Sequence, residues 1–256
     1  MIIQTFYQIG SYVIFFFHEL KAFRFKIPVY QYLEQCHLAG VRSILLILLS
    51  SATTGVILSV QGYYNLSSKG LADTTGIMVS KSILPELAPL MTAIFLIGRS
   101  GASVTAELAT MKISSQIAAY RTMSVPISSY IVLPRILAFI TVFPVLTAIY
   151  AATGIFSAYC ILTIVYGFQD VSFHYPIKEM VMPFDFYAGL IKSIWYALMI
   201  STISCYYGLK AHGGSRGVGS YTTRAVVSSY ITLMISNFFL TLILNYVYTG
   251  IYYGFD

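Results

Sequence analysis

Charge is what this sequence has least of. Its 256 residues include 15 Lys and Arg and 9 Asp and Glu, so charged side chains make up 9% of the chain, about a third of the share usual in globular proteins. Apolar residues make up 57% and the mean hydropathy is +0.77. A water-soluble protein or a disordered chain would need far more polar surface than this. The composition therefore predicts a membrane protein.

Cysteine is scarce as well. Cys36, Cys160 and Cys205 are far apart and odd in number, which excludes a disulfide scaffold and the paired spacing of CxxC metal or redox centres. We expect them to be small packing residues. The net charge of +6 is carried by basic residues that stand singly between apolar runs, which favours membrane topology over nucleic-acid binding.

Long stretches without charge predict the number of spans, because a bilayer core about 30 Å thick needs roughly 20 helical residues. Residues 43–68, 136–169 and 225–255 contain no charge. A fourth span includes Lys192, and a second one is kept despite Glu86 and Arg99 because residues 87–98 are apolar. The predicted fold class is all-α and polytopic, with five spans at about residues 43–64, 83–104, 136–165, 186–209 and 225–250.

The distribution of basic residues predicts the orientation. Segments 1–42, 99–135 and 210–224 hold 11 of the 15 Lys and Arg, which places the N terminus in the cytoplasm and the C terminus on the periplasmic side. We divide the chain into an N-terminal interfacial or cytoplasmic segment, 1–42, and a permease domain, 43–256.

The first 17 residues carry no charge. They lack the basic start and the cleavage site of a signal peptide. Phe6, Val13, Phe16 and Phe17 predict an interfacial amphipathic helix, and a short sixth span is the alternative.

Two charged residues in the second span are candidates for function, because ionisable groups inside a membrane are costly. Glu86 and Arg99 are 13 residues apart, roughly 20 Å along a helix, so each needs water, a headgroup or another helix. Glu86 could be the ion site of a secondary transporter. Residues 98–101 also fit the GxSG pattern of intramembrane serine proteases, but Ser100 would need a base, and all four histidines lie outside the predicted spans.

Two cytoplasmic segments were tested for a role in energy coupling. Residues 106–123 contain good helix formers without Gly or Pro and predict a helix that either tethers the chain to the membrane or docks a soluble partner. The loop at 208–219 contains five glycines but lacks the GxxxxGK[ST] spacing of a phosphate-binding loop. It predicts a hinge, so we expect no ATPase on this chain.

Five sequence blocks, in their order, resemble the MlaE/YrbE permeases. They are Leu87-Ala-Pro-Leu-Met-Thr-Ala-Ile, Gly98-Arg-Ser-Gly-Ala-Ser, Ala106-Glu-Leu-Ala-Thr-Met-Lys, Val132-Leu-Pro-Arg135 and Gly217-Val-Gly-Ser-Tyr-Thr-Thr-Arg-Ala-Val-Val227. The resemblance runs from about residue 40 to the C terminus, and several blocks together are more specific than any one. It implies the non-catalytic membrane subunit of an ABC transporter that moves phospholipids across the Gram-negative envelope, or lipids into chloroplasts.

The resemblance also implies partners. These are a second copy of the chain, a dimer of a separate ATPase that holds ATP and Mg²⁺, a ring of MCE-domain proteins on the outer face, and phospholipid. The chain itself would carry no cofactor and would lie in a bacterial inner membrane or in the chloroplast inner envelope. The helix at 106–123 becomes a coupling helix, with ATPase contacts at Glu107, Met111, Lys112, Gln116 and Tyr120.

The sequence departs from the family pattern at several positions. Ser115 and Pro126 replace common acidic residues, and Arg121 stands where relatives often carry an acid, so the docking charge has changed sign. Asn237 replaces a common Asp, which weakens an ion-coupled role there. A diacyl lipid needs an apolar wall with a few polar or cationic groups at headgroup depth, and the candidates are Arg99, Arg224, Glu86, Asn237 and Gln61.

Overall fold

The computed structural model describes residues 28–168, 178 and 180–252, together with Tyr12 and Phe15; of residues 251 and 252 it describes the backbone. Over these residues the chain is helical and contains no β-strand. Five segments within the described ranges are long and apolar enough to cross a membrane, at Val29–Ser67, Ala72–Ile113, Ser128–Ile164, Pro183–Leu209 and Gly214–Gly250. The predicted all-α fold with five spans is confirmed.

The helices follow one another along the chain with short connections. The α-helices are α1 (Val29–Ala39), α2 (Ile44–Ser67), α3 (Thr75–Ser82), α4 (Ala88–Leu96), α5 (Ala102–Ile113), α6 (Gln116–Thr122), α7 (Leu133–Ile164), α8 (Pro183–Leu209) and α9 (Gly214–Tyr252). Short 3₁₀ turns precede α2 and α3, at Val41–Ser43 and Ala72–Thr74. Five-residue π-helical segments precede α4, α5 and α7, at Ile83–Leu87, Ile97–Gly101 and Ser128–Val132.

Several helices are longer than the spans predicted from the charge gaps. The predicted span at 83–104 lies inside the helical run Ala72–Ile113, and the one at 225–250 lies inside α9. Charge gaps measure the hydrocarbon core, which needs only about 20 residues. Helices can continue beyond it because their backbone hydrogen bonds are satisfied internally at any depth.

The predicted interfacial helix falls almost entirely outside the described residues. Tyr12 and Phe15 are described, and both rings pack edge-on against Tyr206 with centroids 5.7 Å apart. The Tyr12 hydroxyl also shares a hydrogen bond of 2.7 Å with Thr202 Oγ1. These two residues therefore contact the cytoplasmic half of α8, as the positive-inside assignment defines that half.

The predicted single helix over residues 106–123 is wrong in its continuity. Helix α5 ends at Ile113, and Ser115 adopts a left-handed conformation with φ of 61° before α6 begins at Gln116. The Ser114 hydroxyl donates to the Thr110 carbonyl at 2.8 Å, the kind of local bond with which serine competes against helix continuation. Two adjacent serines are the sequence signal for this break.

The chain forms two compact units, each made of discontinuous stretches. The first unit comprises Met1–Arg42, Leu96–Val142 and Trp195–Ile235. The second comprises Ser43–Phe95, Phe143–Ile194 and Ser236–Asp256. The predicted boundary at residue 42 followed the chain, whereas this division follows spatial contact.

In the second unit, α2 packs against α7 through small residues. Ser51, Gly55 and Ser59 recur every fourth residue on one buried face of α2, which is the spacing that lets membrane helices approach closely. A Cβ atom at Gly55 would collide with the Gly154 carbonyl and with Ser157 Oγ. The Ser157 hydroxyl donates to the Ala52 carbonyl at 3.1 Å, so a hydrogen bond accompanies the close contact.

In the first unit, α5 packs against α8 by the same means. Gly208 of α8 leaves no room for a Cβ beside Leu108, and Gly101 faces Ser204. The Thr105 hydroxyl donates to the Ser204 carbonyl at 3.2 Å. Helix α5 is thus attached to α8 at two points one helical turn apart.

Adding one methyl group at Gly55 tests the α2–α7 contact. We expect Gly55→Ala to lower the free energy of unfolding by roughly 1–3 kcal/mol, the usual range for overpacking. Gly219→Ala is the matched control, because a Cβ there would meet no atom within 4 Å. Thermal unfolding of the purified proteins in detergent measures both variants, and equal melting temperatures would contradict the packing described.

Candidate functional sites

A cluster of three polar residues in the second unit joins three membrane helices. Lys192 Nζ on α8 lies 2.5 Å from Glu86 Oε1 and donates to Thr241 Oγ1 of α9 at 2.8 Å. The Lys192 side chain is 1% exposed and that of Glu86 is 37% exposed. A lysine buried in this way needs a counter-charge and hydrogen-bond acceptors. The cluster supplies both, and Glu86 keeps part of its surface open.

Local backbone structure brings Lys192 to Glu86. Glu86 lies in the π-helical segment Ile83–Leu87, and such single turns often mark functional sites. Gly189 lies three residues before Lys192 on the same face of α8, and a Cβ there would collide with the Leu84 carbonyl. The missing side chain at Gly189 therefore allows α8 to approach the π-helical segment closely.

A cavity of about 380 Å³ opens beside this cluster, within the range of roughly 300–1,000 Å³ that is usual for ligand sites. Glu86, Lys192 and Thr241 line it, and its wall also includes Lys81, Asp185, Asn245, Phe184 and Tyr248. The Phe184 and Tyr248 rings contact each other with centroids 5.4 Å apart. The cavity thus combines charges of both signs with an aromatic wall.

A second ion pair lies in the first unit, where α5 meets the start of α7. Arg135 Nη2 lies 2.6 Å from Glu107 Oε1, and Nη1 donates to the Ile131 carbonyl at 2.7 Å. The Arg135 side chain is 7% exposed and that of Glu107 is 44% exposed. The Nε atom of Arg135 is buried without a hydrogen-bond partner among the described residues. A cavity of about 170 Å³ next to the pair is also lined by Glu34, Met111 and Tyr120.

The predicted ATPase-contact residues separate into two groups. Glu107 is committed to Arg135, and Met111 and Tyr120 line the cavity beside that pair. Lys112 and Gln116 are exposed on either side of the Ser114–Ser115 turn. The turn therefore presents Lys112 and Gln116, while Glu107 fixes α5 to α7.

The predicted lipid-pathway residues do not converge on one site. Of the five, Glu86 alone lines the 380 Å³ cavity in the described part of the chain. Gln61 is exposed and Asn237 is half-buried, and both belong to the second unit. In the first unit, Arg99 is half-buried in the segment Ile97–Gly101, and the exposed Arg224 has Cζ 5.4 Å from the centre of the Tyr221 ring.

Comparison with known proteins decides the family. The model of the family described as permease MlaE matches residues 32–243, most of the chain. The chain belongs to the MlaE permease family.

Individual MlaE-family relatives cover most of the chain. It is 32% identical over 232 residues to a probable ABC transporter permease protein of Rickettsia prowazekii, covering 90% of this chain and 89% of that protein. It is 31% identical to the intermembrane phospholipid transport system permease protein MlaE of Haemophilus influenzae, covering 86% and 82% of the two chains. It is also 31% identical to TRIGALACTOSYLDIACYLGLYCEROL 1, chloroplastic, of Arabidopsis thaliana, covering 85% and 62%.

The GxSG pattern has a packing role in this MlaE-family permease. Ser100 is 5% exposed, and its hydroxyl donates to the carbonyl of Ala39, the last residue of α1, at 3.2 Å. Gly101 gives α8 close access at Ser204. The pattern therefore joins three helices of the permease, and the protease interpretation loses its support.

Sequence reasoning missed three site residues. Lys192 was recognised as lying in a span but was given no partner, although a lysine within an apolar segment is itself a signal. Arg135 was quoted in a family block without a role. Thr241 carries no signal in the sequence, because a threonine in a span is usually bonded to its own helix.

The Lys192–Glu86 pair can be tested by breaking it and then removing both charges. Lys192→Met leaves Glu86 without its counter-charge, and removal of one partner of a buried pair typically costs about 3–5 kcal/mol of stability. The double variant Lys192→Met with Glu86→Gln should recover much of that loss, because no unpaired charge remains.

Thermal unfolding of the detergent-purified protein measures these effects. Ile191→Met is the control, since Ile191 is an exposed neighbour of Lys192. A double variant as unstable as Lys192→Met alone would show that the pair does not have the role assigned to it.

Proposed function

We propose that this chain is the membrane permease subunit of an ABC transporter that moves phospholipid between inner and outer membranes, powered by ATP hydrolysis on a separate subunit. The printed function of the Haemophilus relative, an intermembrane phospholipid transport permease, supports the substrate. The feature of this chain that best supports energy coupling is the α5–α6 turn. It lies between two membrane spans, on the side predicted to be cytoplasmic, and exposes polar side chains there.

The turn has the properties of a docking element for the ATPase. Ile117 of α6 is 1% exposed and anchors the helix, whereas Lys112, Gln116 and Arg121 are exposed. The carboxylate of this region, Glu107, is already neutralised by Arg135. The exposed charge of the turn is therefore positive, and we expect an acidic or neutral groove on the ATPase.

The orientation follows from the basic residues. With 11 of the 15 Lys and Arg in segments 1–42, 99–135 and 210–224, the N terminus and the α5–α6 turn lie in the cytoplasm and the C terminus lies in the periplasm. An MCE-domain ring would meet the opposite face. We place the protein in a bacterial inner membrane; the chloroplast inner envelope is the alternative, supported by the chloroplastic relative.

A second copy of the chain would cover part of α9. In the most apolar window of this helix 11% of residues are buried within the chain, against 67% for α8. Large apolar side chains are exposed along α9, including Ile231, Ile235, Phe238, Phe239 and Leu242. A surface of this kind is covered by lipid or by another membrane helix, and we assign part of it to a homodimer contact.

The lipid pathway would use apolar helix faces together with a few polar groups. We retain Arg99, Arg224, Gln61 and Asn237 as candidates for headgroup contact and give the main role to Glu86, because it lines a ligand-sized cavity. The ion-coupled alternative is weaker. Glu86 is held by Lys192 and Thr241, and a carboxylate paired with a lysine is a poor proton carrier at neutral pH.

Reversing the charge of the docking turn tests the ATPase assignment. We expect Lys112→Glu with Arg121→Glu to weaken binding of the ATPase encoded beside this chain by roughly tenfold at low salt, with a smaller effect at high salt, because exposed charges are screened. Affinity of the detergent-purified permease for the ATPase is the measurement.

Lys69→Glu is the matched control, because Lys69 is exposed in the α2–α3 connection, which is predicted to face the other side. An unchanged affinity in the double variant would refute the docking assignment. Failure of the unaltered chain to bind the ATPase would refute the proposed function.

A further inference from the structure

We propose that the cavity beside the Glu86–Lys192–Thr241 cluster binds a zwitterionic phospholipid headgroup, with Lys81 contacting the phosphate and Asp185 contacting the ammonium group. This inference rests on the proposed function and adds the headgroup class. The cavity lies within the second unit, and its wall is made by α3, the segment Ile83–Leu87, α8 and α9.

Charge balance is the first argument. Four ionised side chains line the cavity, namely Lys81, Lys192, Glu86 and Asp185, so its lining is neutral overall. A purely anionic headgroup would meet two carboxylates, and an isolated cation would meet two lysines. A headgroup that carries one charge of each sign matches both sets, because like charges across a contact are unfavourable.

The two lysines differ in what they can contact. Lys192 is 1% exposed and already bonds Glu86 and Thr241, so a ligand could reach it only by breaking the cluster. Lys81 is exposed and forms no ion pair with any residue that the structure describes. The cation available to a phosphate is therefore Lys81.

The two carboxylates are both open to the cavity in part. One oxygen of Asp185 accepts a hydrogen bond from the Met182 backbone N–H at 3.1 Å, which caps the start of α8. The side chain is half-buried, and its other oxygen has no bond within the described ranges. Asp185 is seven residues before Lys192 in α8, or about 10 Å nearer the helix start. The charged lining thus extends inward from the end of the span.

The remaining wall suits the rest of a lipid. The exposed Asn245 adds an amide to the polar side, and Phe184 and Tyr248 form a contacting aromatic pair on the other. Aromatic faces attract ammonium groups as well as apolar chains. The volume of about 380 Å³ exceeds that needed for an ion alone and lies in the usual range for ligand pockets.

Competition between lipids tests the proposal. The full-length chain, purified in mild detergent, is incubated with equal amounts of phosphatidylethanolamine and phosphatidylglycerol of different acyl mass, and bound lipid is counted by native mass spectrometry. The zwitterionic lipid should predominate. Asp185→Asn keeps the hydrogen bond to Met182 but removes the charge, and it should lower the ratio of zwitterionic to anionic lipid roughly three- to tenfold.

Lys81→Gln should reduce the binding of both lipids, since both carry a phosphate. The matched controls are Lys69→Gln and Asp73→Asn, which change exposed charges of the same unit outside the cavity wall. Phosphatidylcholine should compete with phosphatidylethanolamine, whereas diacylglycerol should not.

The proposal is overturned if the unaltered chain binds the two lipids equally or prefers phosphatidylglycerol. It is also overturned if both cavity variants, shown to be folded by thermal unfolding, behave as their controls do. ATP-dependent lipid transport without a headgroup preference would remove this inference and leave the proposed function intact. Absence of any lipid binding together with absence of transport would remove both.

Discussion

A charge between the ends of a membrane span has no bulk water to solvate it, so it must find its partner within the protein. Lys192 finds Glu86 and Thr241, which requires that α8, α9 and the Ile83–Leu87 segment meet at one place. Arg135 finds Glu107, which attaches the cytoplasmic helix α5 to the start of α7. In a chain that is 9% charged, these two pairs fix helix neighbours that apolar packing alone would leave interchangeable.

Such pairs need close helix approach, and small residues supply it. Gly189 allows α8 to reach the Leu84 carbonyl one turn before Lys192, Gly55 allows α2 to reach α7, and Gly208 allows α8 to reach α5. Without a hydrophobic driving force between helices in lipid, association depends on close contact and hydrogen bonds. The glycines and the ion pairs therefore act together: the glycine sets the distance and the polar pair sets the register.

The sequence predicts the all-α class and the five spans correctly, because the spacing of charges directly reflects the thickness of the bilayer. It identifies Glu86 as costly but not its partner, since Lys192 lies 106 residues away along the chain and periodicity within one helix says nothing about which helices touch. It also merges α5 and α6, because a left-handed Ser115 depends on one backbone angle that composition does not determine. Glu107 was predicted to contact the ATPase, but the structure pairs it with Arg135.

The alternatives differ in their energy source, and this gives the most direct test. The permease and its ATPase are reconstituted into liposomes, and the movement of labelled phospholipid is followed with ATP, with a non-hydrolysable analogue, or with a proton or sodium gradient alone. The account predicts movement that requires ATP hydrolysis and stops when the ATPase is omitted. Movement driven by an ion gradient without ATP would contradict it and would return Glu86 to the role of an ion site.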